Sequence, residues 1–348
     1  MSFIPLYYTD LGSAYVGDSL KFLSYVDNES IDLVITSPPF ALQRQKAYGN
    51  VKENDYVNWI KPFGKEIMRV LKNSGSFVLD LGGTYKTGTP ARSLYNFRVL
   101  LCFCDDIGFN LAEDFYWYNP SKLPSPVEWV NKRKVRVKDA VNTVWWFSKT
   151  ENPKADISKV LKPYSDRMIK LIKDPDNFYK PDKRPSGHSI GSSFGKDNGG
   201  AIPSNLLSIS NTDSGSNYMR LCKLLEIERH PARFPADLPS FFIKMLTDEN
   251  DIVLDIFGGS NTTGCVAENL KRKWLTFELN HDYLSSSILR FLDGSDVATA
   301  KKIINKLKNQ QANYPLGMIN YESPNKDKSK RRKENAYISK TLWEIAEE

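Results

Sequence analysis

The stretch "DIVLDIFGGSNTTG", residues 251–264, is an apolar, β-branched run that stops at two consecutive glycines. A buried strand that turns tightly into a helix is the repeating unit of a parallel α/β sheet. The next apolar run, "KWLTFELN" (residues 273–280), carries Glu278, 20 residues beyond Gly258. An acid at the tip of that second strand is placed to accept both hydroxyl protons of a ribose, while glycines let the backbone approach a ligand closely. The dinucleotide pattern G-x-G-x-x-G is absent, because Asn261 and Thr262 occupy its later positions. A nicotinamide or flavin cofactor therefore matches poorly, and a loop with no basic residue suits a cofactor without phosphates. Asp18, in "YVGDSL" (residues 15–20), ends another predicted strand and can accept from the exocyclic amine of an adenine ring.

Working outward, strand-like and helix-like segments alternate along most of the chain. "SAYVGDSLKFLSYV" (13–26) and "SIDLVITSPPF" (30–40) read as strand, helix, strand. "VNWIKPFGKEIMRVLKNSGSFVLDLGG" (57–83) adds an amphipathic helix and a buried strand, and "AEDFYWYN" (112–119) and "DAVNTVWWFSK" (139–149) add two more strands. This rhythm predicts an α/β fold, a three-layer, doubly wound, mostly parallel sheet assembled from both ends of the chain, residues 1–150 and 230–310. Residues 151–229 break the rhythm with "RPSGHSIGSSFGKDNGGAIPSNLLSISNTDSGSNY", rich in Gly, Ser, Asn and Pro. They are expected to form a loop-rich recognition module. Residues 311–348 form a basic tail that includes Lys326, Lys328, Lys330, Arg331, Arg332 and Lys333.

Composition narrows the function classes. The 348 residues are 41% hydrophobic, enough for one large core with an added module, and the net charge of +7 fits a polyanionic partner. Cys102, Cys104, Cys222 and Cys265 form no C-x-x-C pair, and three histidines supply no zinc-ligand pattern. Free thiols in a reducing cytoplasm and no metal are expected. No charged segment followed by an apolar one opens the chain, and nowhere do 18 apolar residues run together, so neither export nor membrane insertion is expected.

A second unusual stretch is "VITSPPF" (34–40), where an apolar strand ends in Thr36-Ser37-Pro38-Pro39-Phe40. Two prolines cannot donate to a sheet and hold the turn stiff. Together with "DIFGGSNTTG" and "HPARFP" (230–235), this turn resembles the motifs of S-adenosylmethionine-dependent DNA amino-methyltransferases. The order, catalytic turn first and glycine loop late, is similar to the β group of that family. The closest resemblance is to N4-cytosine methylases of restriction-modification systems, over roughly residues 10 to 290.

The chemistry accounts for the residues. The lone pair of an exocyclic base amine is delocalised into the ring, so a site must favour a pyramidal nitrogen by accepting its protons. Ser37 Oγ and the Pro38 carbonyl supply two acceptors, Pro39 stiffens the turn, and Phe40 stacks on a base extruded from the duplex. Cytosine C5 chemistry is excluded, because it needs a nucleophilic Pro-Cys thiolate and no Pro-Cys dipeptide exists here.

The resemblance implies further roles. Asp255, Phe257, Gly258, Gly259, Ser260, Asn261 and Thr262 would line the methionine part of S-adenosylmethionine, and Glu278 its ribose. Phe234 would pack against the methionine end; read by itself, His230 is a satisfied surface histidine and not catalytic. Tyr116, Trp117 and Asn119, in "FYWYNPSKLP" (115–124), would surround the target base. Arg44 and Lys46, in the polar loop after the catalytic turn, would close over that base or grip phosphates. Ser at the first motif position accompanies cytosine N4 and Asp adenine N6, so N4 methylation of cytosine in double-stranded DNA is expected. Adenine N6 methylation and a non-catalytic DNA-binding role stand as alternatives. The family also implies a bacterial or archaeal cytoplasm and a restriction endonuclease as functional partner.

Overall fold

In a computed structural model of the chain, the described residues are 4–41, 51–175, 195–212, 216–292 and 297–309. They contain one nine-stranded sheet: β1 (Tyr7–Tyr8), β2 (Gly12–Val16), β3 (Ile31–Thr36), β4 (Leu71–Leu81), β5 (Asn110–Tyr118), β6 (Val141–Ser148), β7 (Leu206–Ser208), β8 (Ile252–Asp255) and β9 (Lys273–Glu278). Their spatial order is β1-β2-β9-β8-β3-β4-β6-β5-β7. The run from β2 to β4 is wholly parallel, and β6 then pairs antiparallel with both β4 and β5. Strands from the two ends of the chain therefore interleave: residues 12–16 lie on 274–278, and Leu33 and Val34 lie on Val253 and Leu254.

Alternation within the central strands explains the three layers. β3 is buried along its whole length, with Leu33 and Ile35 facing one core and Val34 the other. On Val34's side the core is covered by α1 (Ser19–Leu23), α2 (Tyr56–Val70) and α3 (Tyr95–Leu101), through Phe22, Ile60, Phe63 and Val99. On the opposite face lie α5 (Asn217–Leu224), α6 (Asp237–Leu246), α7 (Thr262–Asn269), α8 (His281–Ser287) and α9 (Val297–Asn309). A strand buried on both faces reads as a continuous apolar run, which is why "IDLVIT" shows no alternation.

Two segments differ from the expected boundaries. β7 and α5 fall within 151–229, yet β7 extends the main sheet beside β5, and α5 buries Tyr218, Leu221 and Cys222 in the common core. Apolar side chains at one helical face decide the matter for α5, and the indole of Trp117, donating 2.8 Å to the Ile209 carbonyl, ties the strand in. Within the expected module the described residues also include α4 (Asp166–Lys173), whereas residues 176–194 lie outside the described residues. The four cysteines are free thiols. Among the described residues no helix is long and apolar enough to cross a membrane, and no His, Cys, Asp and Glu group is arranged to hold a metal.

Candidate active site

The carboxyl ends of β2, β9, β8, β3 and β4 open on one cavity of about 810 Å³. The chain leaves β8 toward β9 and leaves β3 toward β4, so the crevice lies where the winding reverses, the usual ligand position in an open α/β sheet. The lining comes from successive strand ends: Asp18 after β2, Glu278 at the tip of β9, residues 256–260 after β8, Ser37 to Phe40 after β3, and Asp80 near the end of β4.

One half of the cavity is built by the glycine turn. Gly259 has φ +52°, a left-handed conformation, and a Cβ there would stand 3.2 Å from the His230 imidazole. Its N–H donates to Glu278 Oε2 at 2.8 Å, and Asn280 N–H donates to Glu278 Oε1 at 2.8 Å. Both carboxylate oxygens are thus oriented by backbone, each with acceptor capacity left over, while burial pushes the acid above its ordinary value. Asp18 caps α1 by accepting from Leu20 N–H at 2.9 Å, so only part of its carboxylate faces the cavity. Phe257 closes the floor against Trp59 and Phe63, with ring centroids 5.7 and 5.1 Å away.

Asp255 and Asn261 stand behind this wall rather than in it. Asp255, 2% exposed, accepts from Thr36 and Thr263 hydroxyls at 2.7 Å each and from Phe257 N–H at 3.1 Å. Asn261 is fully buried, caps α7 through Gly264 N–H, and donates to Tyr7 Oη at 2.9 Å. Neither lines the cavity, where both were expected against the cofactor; each polar atom of both is instead engaged with the turn or with the strands that flank it. Ser260 and Thr262 do reach the cavity, and Arg290 fixes Ser260 by donating to its carbonyl at 2.6 Å and its hydroxyl at 3.0 Å. Phe234 lines the same end, and His230 lies edge-on to Tyr283 at 4.5 Å. Burial lowers His230 to about 4, so the ring is neutral at physiological pH.

The other half is the Ser-Pro-Pro-Phe turn. Ser37 donates its hydroxyl proton to Asp80 Oδ2 at 3.0 Å, and Asn142 donates to Asp80 Oδ1 at 3.1 Å. Asp80 is 5% exposed, and burial raises it to about 6 against the pull of those two donors. Tyr56 donates to the Pro39 carbonyl at 2.8 Å, pinning the turn from α2. Phe40 runs along Gly82, where a Cβ would come 2.5 Å from the Phe40 ring and 2.9 Å from Asn142 Oδ1.

Of the expected base-binding residues, Trp117 and Asn119 reach the cavity wall. Tyr116 does not: strand alternation turns it to the opposite face from Trp117, and its hydroxyl donates to Asp114 at 2.7 Å. Arg44 and Lys46 lie outside the described residues. Sequence reasoning missed Asp80, Asn142 and Tyr56. Asp80 alone carried a signal, a single acid inside the otherwise apolar run "SFVLDL".

Residues 31–289 match the N6/N4 methyltransferase family model, described as DNA methylase. The chain belongs to the DNA methylase family. This methylase is 64% identical over 291 residues to the Type II methyltransferase M.PvuII of Proteus hauseri, spanning 84% of the chain and 87% of that relative. It is 28% identical over 276 residues to the Type II methyltransferase M.BglII of Bacillus subtilis, spanning 79% of the chain and 67% of that relative. A solved structure of the PvuII DNA methyltransferase (cytosine-N4-specific) superposes with a TM-score of 0.73 at 52% identity, covering 89% of this chain and 97% of that one.

Proposed function

We propose that this methylase transfers a methyl group from S-adenosylmethionine to N4 of cytosine in double-stranded DNA, as the modification enzyme of a bacterial restriction-modification system. The observation that carries the reading is Ser37 held against buried Asp80 at the end of β3, across one cavity from the Gly258-Gly259 turn and Glu278. The residues fit the cofactor. Glu278 offers oriented carboxylate oxygens suited to ribose hydroxyls, and Asp18 a carboxylate suited to an adenine amine. Phe257, Trp59 and Phe63 form an aromatic wall, and the glycine turn keeps side chains out of the way. Bound S-adenosylmethionine supplies an electrophilic methyl carbon on a sulfonium.

The protein's own part is to prepare the amine. Ser37 spends its only proton on Asp80, so the lone pairs of Oγ are left to accept from an incoming N–H. The Pro38 carbonyl is the second acceptor, and the stiff Pro-Pro turn with the Tyr56 bond keeps both from relaxing. Two accepted hydrogen bonds draw the nitrogen lone pair out of the ring. As the new N–C bond replaces the methyl–sulfur bond, whose electron pair would leave with the neutral thioether, the nitrogen's excess proton passes to Ser37 Oγ while the Ser37 proton passes to Asp80, whose value near 6 makes it competent to receive it. Phe40, held by Gly82, offers its ring to the extruded base. The 64% identity to a Type II methyltransferase supports the restriction-modification setting, with a cognate endonuclease as functional partner, in the bacterial cytoplasm.

The test is product identity. Purified protein is incubated with mixed-sequence duplex DNA and S-adenosylmethionine, the DNA is digested, and methylated nucleosides are identified by mass spectrometry. N4-methylcytosine is expected. N6-methyladenine would keep the machinery and overturn the base; no methylated nucleoside despite bound cofactor would overturn the reading.

A further inference from the structure

β5 and β6 are not joined by a tight turn. Residues 119–140 form an excursion that begins on the cavity wall, with Asn119 and Lys122, and returns to it at Ala140. Its sequence, "NPSKLPSPVEWVNKRKVRVKDA", holds six cations (Lys122, Lys132, Arg133, Lys134, Arg136, Lys138) and two acids (Glu128, Asp139), a local charge of 6 − 2 = +4 in 22 residues. Every residue from 131 to 138 is exposed. Apolar side chains stand exposed among the cations, most of all Leu123 at 81% and Val137 at 85%.

The excursion is built, not slack. Trp129 is buried beneath it, and the Arg133 guanidinium lies 4.9 Å over its ring. Lys138 Nζ donates to the Pro120 and Lys122 carbonyls at 3.1 and 3.4 Å, closing the loop on itself. Its far side is fastened to the segment after β4: Arg92 pairs with Asp139 at 2.5 Å, and Arg136 donates to the Pro90 carbonyl at 3.0 Å. Glu128 braces it from within, 3.3 Å from Lys132 and 3.1 Å from Arg133, and the cations still outnumber the acids six to two; such a face, with apolar groups in water, is suited to a partner that is itself a polyanion with apolar groove walls.

We propose that this excursion is the surface on which the duplex docks. Lys132, Lys134 and Arg136 lie on backbone phosphates, and Leu123 and Val137 press into the groove beside the base that enters the cavity. The assignment rests on the DNA substrate of the proposed function. It places phosphate docking on the rim that Asn119 and Lys122 share with the active site.

The experiment is a salt series of equilibrium binding to a fluorescent, mixed-sequence duplex of about 30 base pairs, with two variants beside the wild type. Each phosphate contact contributes roughly 0.9 to the slope of log K against log salt. Lys132→Gln/Lys134→Gln/Arg136→Gln should flatten that slope by about 2 to 3, with cofactor affinity unchanged. Leu123→Ser/Val137→Ser should weaken binding several-fold at every salt concentration and leave the slope alone. An unchanged slope in the triple variant, with cofactor affinity intact, would overturn the docking surface. Wild-type protein that shows the steep slope but methylates no duplex would leave the docking surface standing and overturn the proposed function instead.

Discussion

Ser37 Oγ lies 3.0 Å from Asp80 Oδ2 and donates its proton there, joining the end of β3 to the neighbouring strand β4. A serine whose proton is committed can only accept from a third group, which is the polarity an exocyclic amine requires. Ser37→Ala removes the acceptor without touching the glycine turn. Its turnover should fall by about 100-fold or more, in the range seen when one preorganised hydrogen-bonding group is deleted. Cofactor affinity, measured by calorimetry, should stay within about twofold. Turnover at the wild-type level would remove Ser37 from the chemistry.

Burying Asp80 costs stability, and the sign can be worked out. Its folded value of about 6 lies above the ordinary 3.8, so between those pH values the folded state holds more protons than the unfolded one. Stability from this group therefore falls as pH rises from about 4 to about 6 and stays reduced above that, by about 3 kcal/mol at most. Asp80→Asn cannot ionise. Its melting temperature relative to wild type should rise by several degrees between pH 4 and pH 8, although the variant transfers methyl groups slowly. A constant difference across that range would show that Asp80 is not strained by its charge.

Glu278 is held by two backbone N–H groups, so its position does not depend on a ligand. Glu278→Ala should weaken S-adenosylmethionine binding by about tenfold or more, the loss expected for charged hydrogen bonds. Duplex affinity without cofactor should be little changed. The reverse pattern would dissociate Glu278 from the cofactor.

Gly82 is small because Phe40 and Asn142 crowd it, a Cβ standing 2.5 Å from the Phe40 ring and 2.9 Å from Asn142 Oδ1. Gly82→Ala should fold, displace the two side chains, and cost about 1–3 kcal/mol of stability. Its methyl-transfer rate should drop more steeply than its cofactor affinity. Equal losses in both would mean a general disturbance instead.

Much of this was legible in the sequence, and the limits have physical causes. The glycine turn and the Ser-Pro-Pro-Phe turn are local: their conformations follow from residues adjacent in the chain. Glu278 was legible because strand–helix–strand spacing fixes where the second strand ends. Asp80 and Asn142 were not, because they meet Ser37 only through the β3–β4 and β4–β6 pairings, and register across 43 and 62 residues is not written in any one segment. Asp255 and Asn261 were placed in the right turn but turn away from the cavity, since sequence does not reveal that Thr36, Thr263, Tyr7, Thr276 and Gly264 engage their polar atoms. Tyr116 was misread because aromatic alternation along β5 leaves open which phase faces the cavity. Polar composition suggested that everything from 151 to 229 stood apart, whereas the short apolar runs inside it, "LLS" and "NYMRLCKL", were enough to dock β7 and α5 on the main body.

The most direct measurement is the single-turnover rate of methyl transfer from S-adenosylmethionine to duplex DNA, taken from pH 5 to pH 8 for wild type and Asp80→Asn. If Ser37 passes the amine proton toward Asp80, the wild-type rate falls on the acid side with a midpoint near 6, and Asp80→Asn is slow and lacks that limb. An Asp80→Asn enzyme that keeps both the wild-type rate and the same acid limb would contradict the Ser37–Asp80 pair as the acceptor of the amine proton.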